Sequence, residues 1–134
     1  NLKVVLGDSR ITANDFDVKW NEAVSLRSKD IEFLNDKNEK KLIGEIIFDF
    51  NDVEKFFRYF QIKRNYRNVF NQIKADFVYD FNESKIYLNN LVVDDKSNKK
   101  INSFIEDYNK KENNLFNKVT FRNFVKDFFK IYAG

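Results

Sequence analysis

The chain has no cysteine, no histidine, no methionine and no proline, and only three glycines among its 134 residues. Each absence removes a class of chemistry. Without cysteine there is no disulfide, thiol nucleophile or thiolate metal site. Without histidine, neither a Ser-His triad nor a histidine zinc site can be built within this segment. The lack of cysteine fixes no compartment, because proteins of oxidising compartments do not require disulfides. No glycine-rich phosphate-binding loop is present, and no apolar run approaches the roughly 18–20 residues that span a bilayer. No signal-peptide pattern is visible either. A first residue Asn1 with no methionine anywhere makes the chain read as a fragment, with any anchor or export signal upstream of Asn1. The absence of proline also leaves long strands and helices uninterrupted.

What the chain does have is phenylalanine. Aromatic residues make up 17% of the sequence, and 16 of them are Phe. A coding sequence poor in G and C enriches Phe, Ile, Lys, Asn and Tyr together, which accounts for composition but not for placement. Selection for an apolar surface is the competing explanation. Charged residues at 34% and a net charge of +3 are ordinary for a globular domain. Basic and acidic residues interleave along the whole length, the pattern of a solvated surface more than of a nucleic-acid patch.

Length and order predict one domain over 1–134, with strands over 1–50, a helix over 52–62, a β-hairpin over 73–93 and two helices over 97–132. Leu2, Val4 and Leu6 alternate with polar or smaller neighbours. Phe16, Val18 and Trp20 then fall in one phase, and Val24 to Phe33 reads as one or two strands broken near Lys29 and Asp30. The polar tract 35–41 reads as a loop. In FDFNDVEKFFRYF (48–60) the period changes from two to helical: Phe48 and Phe50 alternate, then Val53, Phe56, Phe57 and Phe60 follow at i, i+3, i+4, i+7. Asn51 or Asp52 supplies the cap, while Glu54 and Arg58 suit the helix dipole. Residues 61–71 read as a polar connection.

Ile73, Ala75, Phe77, Tyr79 and Phe81 alternate with polar residues, and the turn at 82–84 leads into a second strand. There the apolar phase slips between Leu88 and Leu91, which predicts a bulge near Asn89 and Asn90. Ser97 or Asn98 caps a helix carrying Ile101, Phe104, Ile105 and Tyr108. A loop over 109–117 follows, then a last helix capped by Thr120, with Val119 placed to staple onto Phe124. Strands first, then a helix, a hairpin and two helices, with no repeated crossover, give an α+β fold. It is an antiparallel, twisted sheet with about three amphipathic helices packed on one face or end.

Four features invite a functional reading. Lys118, Arg122, Lys126 and Lys130 recur every four residues beside the last helix's Phe stripe, a pattern that suits a membrane interface or an ordinary solvated flank. The pairs Asp49 with Asp52, Asp76 with Asp80, and Asp94 with Asp95 are carboxylates in proximity, but nothing encloses them as acid–base chemistry requires. The run Lys63, Arg64, Tyr66, Arg67 mixes cations with a ring, as single-strand or headgroup phosphate binding does, and is short. Lastly, several strands present an apolar face, and Ile43, Ile47 and Val78 make the opposite face partly apolar too. No catalytic residue, metal ligand or cofactor site follows from any of these.

The segments LIGEIIFDFNDVEKFFRYFQI (42–62) and ADFVYDFNESKIYLNNLVVDD (75–95) resemble the C-terminal part of AsmA-like envelope proteins. Gly44, Ile46 and Phe48 match one strand pattern of that family, and Ile86, Leu88, Asn90, Leu91, Val93 and Asp94 match the other. The resemblance spans about residues 10–95. It implies a long curved sheet with an apolar inner face, held in the periplasm by an inner-membrane anchor upstream. Its role there would be to shelter or pass phospholipid acyl chains and to support outer-membrane integrity, without catalysis or a cofactor. Phospholipid or a membrane surface, and envelope proteins, are the partners it implies; nucleic acid is disfavoured. The chain departs from the family in its two Phe-rich closing helices. On this reading Phe16, Val18, Trp20, Phe77, Tyr79 and Phe81 are the expected lipid-binding residues. The alternative is an interaction module with a fully covered core, binding a protein or polyanion through its basic surface.

Overall fold

The computed structural model describes the backbone of residues 3–7, 10–14, 16–20, 22–111 and 118–134, and side chains within 22–111 and 118–134. Strands β1 (Lys3–Gly7), β2 (Arg10–Asn14), β3 (Phe16–Trp20), β4 (Val24–Asp36) and β5 (Glu39–Phe50) come first. Helix α1 (Val53–Tyr59) and a 3-10 turn (Arg64–Tyr66) follow. Then come β6 (Gln72–Asp80), β7 (Lys85–Val93), α2 (Lys99–Lys110) and α3 (Lys118–Ala133). The strands form one antiparallel sheet in the order β1-β2-β4-β5-β6-β7, with β3 also pairing with β4. The fold is α+β.

Alternation sorts the sheet into two faces. Phe48, Ile73 and Val93 lie side by side, as do Gly44, Phe77 and Leu88, and this face carries the helices. A strand keeps its apolar set on one face only while its register holds, because side chains alternate with period two. Two bulges repair slips in the pattern. In β4 the register against β5 shifts between Lys29 and Glu32, with Asp30 at φ 53°. In the β6–β7 pair it shifts between Lys74 and Asp76, and Asn90 takes φ 52°. The extra residue at Asn90 returns Leu91 and Val93 to the buried side.

The core beneath the helices is built of phenylalanine. Phe57 of α1 has no exposed surface and meets Phe129 edge-on with ring centroids 5.2 Å apart. Phe70 stacks on Phe129 at 5.6 Å and meets Phe50 edge-on at 4.7 Å. Such offset and edge-to-face pairs suit the ring quadrupole. Phe70 and Ile62 are both buried, so the connection 61–71 is a working part of the core and not merely a polar link. Its periodicity is too irregular to show this.

Other expectations are also corrected. The tract 35–41 is a tight hairpin: β4 runs to Asp36 and β5 resumes at Glu39, because antiparallel pairing continues through the polar residues. Helix α2 reaches Lys110, shortening the following connection, with Asn98 as its cap. Helix α3 begins at Lys118, so Thr120 lies within it and Val119 is exposed instead of stapled to Phe124. Asp52 caps α1 as expected, accepting from the Lys55 N–H at 3.0 Å.

The free edge of β7 is blocked. The Asn109 side chain accepts from the Leu88 N–H at 3.1 Å and donates to the Leu88 carbonyl at 2.7 Å, as a neighbouring strand would. Covering an edge in this way suppresses pairing with other chains.

Candidate functional site

Among the described residues, the helix-free face carries salt links. Arg27 and Lys74 flank Ile47 across the strands, and Ile47 is only 2% exposed. Arg27 Nε donates to Asp49 at 2.7 Å, and Gln72 donates to the other oxygen of the same carboxylate, also at 2.7 Å. The hydrogen bond from Arg27 is the main reason the Asp49 carboxyl sits below its ordinary pKa. Ile43 and Val78 are register neighbours and half-buried. The remaining carboxylates have local duties. Asp76 accepts from Asn90, Asp80 from the N–H groups of Asn82 and Glu83, Asp94 from those of Asn71 and Gln72, and Asp95 from Lys74. No group of acidic side chains that could hold a metal ion occurs among the described residues.

In the basic run at 63–67, Arg67 and Tyr66 are tied to neighbouring residues. Arg67 Nε donates to the Ile62 carbonyl at 2.8 Å, its guanidinium lies 3.6 Å from Glu54, and Tyr66 packs against the core.

On the helical face, an apolar groove of about 280 Å³ opens beside α1. Its floor is Val24 and Leu26 of β4 with Phe48 of β5, and Leu26 pairs directly with Phe48. Phe56 and Tyr59 of α1, with Phe60 at its C-cap, form one wall because i, i+3 and i+4 share a helix face. Phe121 at the start of α3 forms the other, with Lys118 and Arg122 beside it. The walls are braced by rings: Phe56 lies 5.1 Å from Phe50 and 4.6 Å from Phe60, and Phe60 lies 5.9 Å from Phe121. No carboxylate lines the groove among the described residues. The lining is thus apolar apart from the two cations Lys118 and Arg122.

The six residues singled out from sequence do not converge on one place. Val18 pairs with Leu26 and Trp20 with Val24, so two of them occupy register positions beside the groove floor, while Phe16 pairs with Ser28. The side chains of these three lie outside the described residues. Phe77 is buried in the core at 7% exposure, two strands from β4. Tyr79 and Phe81 lie at the opposite end of the sheet, where Phe81 is 44% exposed and meets Tyr79 and Phe33 edge-on. The groove's own wall, Phe56 and Phe60, was visible in sequence only as an amphipathic stripe, and Lys118 and Arg122 as part of a basic flank. No sequence signal marks where such a stripe is left open.

No family model, curated protein or solved structure matches the chain.

Proposed function

We propose that this domain is a non-enzymatic lipid-sheltering segment of the AsmA-like type, holding acyl chains of membrane lipid. The single observation that carries the reading is the groove at β4, β5, α1 and α3, apolar on its floor and walls, with Lys118 and Arg122 also in its lining. Holding would be passive. Each methylene withdrawn from water contributes about 0.8 kcal/mol, so a few of them suffice for reversible retention. The proposed setting is the periplasm, with attachment to the inner membrane through another part of the protein. Relative to the long open trough that the resemblance implies, this sheltered surface is short, because the three helices bury the core face of β5 to β7.

That burial favours a second reading, an interaction module with a closed core whose basic surface meets a protein or polyanion. Native mass spectrometry of gently purified protein separates the two. A copurified lipid mass, with lower thermal stability after delipidation, is expected for lipid sheltering. Bare polypeptide mass, unchanged stability on delipidation and salt-sensitive polyanion binding would favour the module.

A further inference from the structure

We infer that the groove takes a single acyl chain carrying an anionic head, and not a whole two-chain phospholipid. This rests on the lipid-sheltering reading and narrows it. Pockets that enclose a complete drug-sized ligand run to roughly 300–1,000 Å³, and the groove's 280 Å³ lies just below that range. Widening it would break ring contacts on both sides, since Phe56 packs against Phe50 and Phe60 against Phe121. A second chain would therefore stay in water. The charge at the site is all of one sign: Lys118 and Arg122 stand one helical turn apart on α3, with no acidic group in the lining among the described residues. A carboxylate or phosphate with net negative charge at the end of the chain can meet both cations, whereas an uncharged head offers them no anion.

The test uses the whole 134-residue chain and displacement of a fluorescent long-chain fatty acid. Four competitors are added: the matching fatty acid, a lysophospholipid with an anionic head, the matching fatty alcohol, and vesicles of a diacyl anionic phospholipid. The fatty acid, the lysophospholipid or both should displace the probe, and their ranking identifies the head as carboxylate or phosphate. Shortening the chain should weaken binding by about four-fold per methylene lost from the groove. The alcohol should bind more weakly by up to about five-fold, as expected for losing exposed charge contacts. Arg122→Glu on the exposed side of α3 should cost a similar factor and reduce the salt dependence. Leu26→Trp should abolish binding by filling the floor, with circular dichroism reporting whether that variant keeps its fold.

Equal displacement by diacyl vesicles would overturn the single-chain inference and leave the lipid-sheltering reading standing. Equal binding of the alcohol would overturn the requirement for an anion. If no lipid displaces or binds, both readings fall together.

Discussion

Phe57 and Phe121 are the same residue type on amphipathic helices of the same domain, yet Phe57 is fully buried while Phe121 is 39% exposed. The difference lies in what packs against each ring. Phe57 sits where α1, α3 and the 61–71 connection meet, and its ring has aromatic neighbours in Phe70 and Phe129. Phe121 is in the first turn of α3, where α1 and α3 stand over β4 with the groove between them. The closed region spends its rings on one another and makes stability. Around the groove, similar rings make a surface that a ligand could complete. An identical composition thus serves two ends according to what packs opposite.

The sharpest way to break this comparison is to truncate one ring in each kind of environment. Phe57→Ala should cost about 3–5 kcal/mol in urea unfolding, because a cavity is left where no water can collapse the space. A loss below about 1 kcal/mol would show that the closed region is not closed. Next in size is Gly44→Ala. A Cβ there would meet Phe77 at 3.1 Å, Ile31 at 3.2 Å and the Lys29 carbonyl at 3.2 Å. Overpacking of this kind costs about 1–3 kcal/mol, and a calorimetric Tm should fall accordingly.

Two substitutions of about 1 kcal/mol sharpen the contrast. The Tyr108 hydroxyl is buried without a hydrogen-bond partner among the described residues, and burial pushes its pKa up to about 12. Tyr108→Phe should therefore leave stability unchanged or raise it by about 1 kcal/mol at neutral pH. The pH dependence has a definite sign. Unfolded tyrosine loses its proton near 10, so between about pH 10 and 12 the folded chain holds the extra proton and stability falls as pH rises. In the Phe variant the alkaline unfolding midpoint should move upward. In the open region, Leu26→Ala should cost about 1 kcal/mol, below the roughly 2–5 kcal/mol of a fully buried leucine, because part of the side chain already faces solvent.

The smallest effect belongs to the helix-free face. Asp49→Asn should cost about 0.5–1 kcal/mol, since the Arg27 pair is partly exposed and solvent screens it. The folded carboxyl is held below its unfolded value near 3.8, so this stabilisation is present above that pH and lost as pH falls through the lowered value. Acid titration of the two proteins should converge there.

Much of this was legible in the residues. The change of period at Phe50, the Asp52 cap, the β6–β7 hairpin and the bulge at Asn90 all follow from local pattern, because alternation and capping act over a few residues. Helix α3 starts three residues before the Phe121 that a Thr120 cap implies, because Thr120 is a cap-type residue that here lies inside the helix. Phe70 escaped because a core residue in an irregular connection has no periodicity to announce it. The candidate site was less legible still. Phe56, Phe60, Lys118 and Arg122 come from helices far apart in the chain, and only their approach across β4 and β5 makes a groove.

Local residue pattern accounts for most of the elements, the antiparallel α+β class and the richness in rings, because hydrophobic period, turn residues and caps are properties of neighbouring positions. Tertiary structure alone decided which rings are sealed and which are open. That outcome depends on where α1, α3 and the 61–71 connection meet and on the opening left between α1 and α3. These are relations between segments that no local pattern carries.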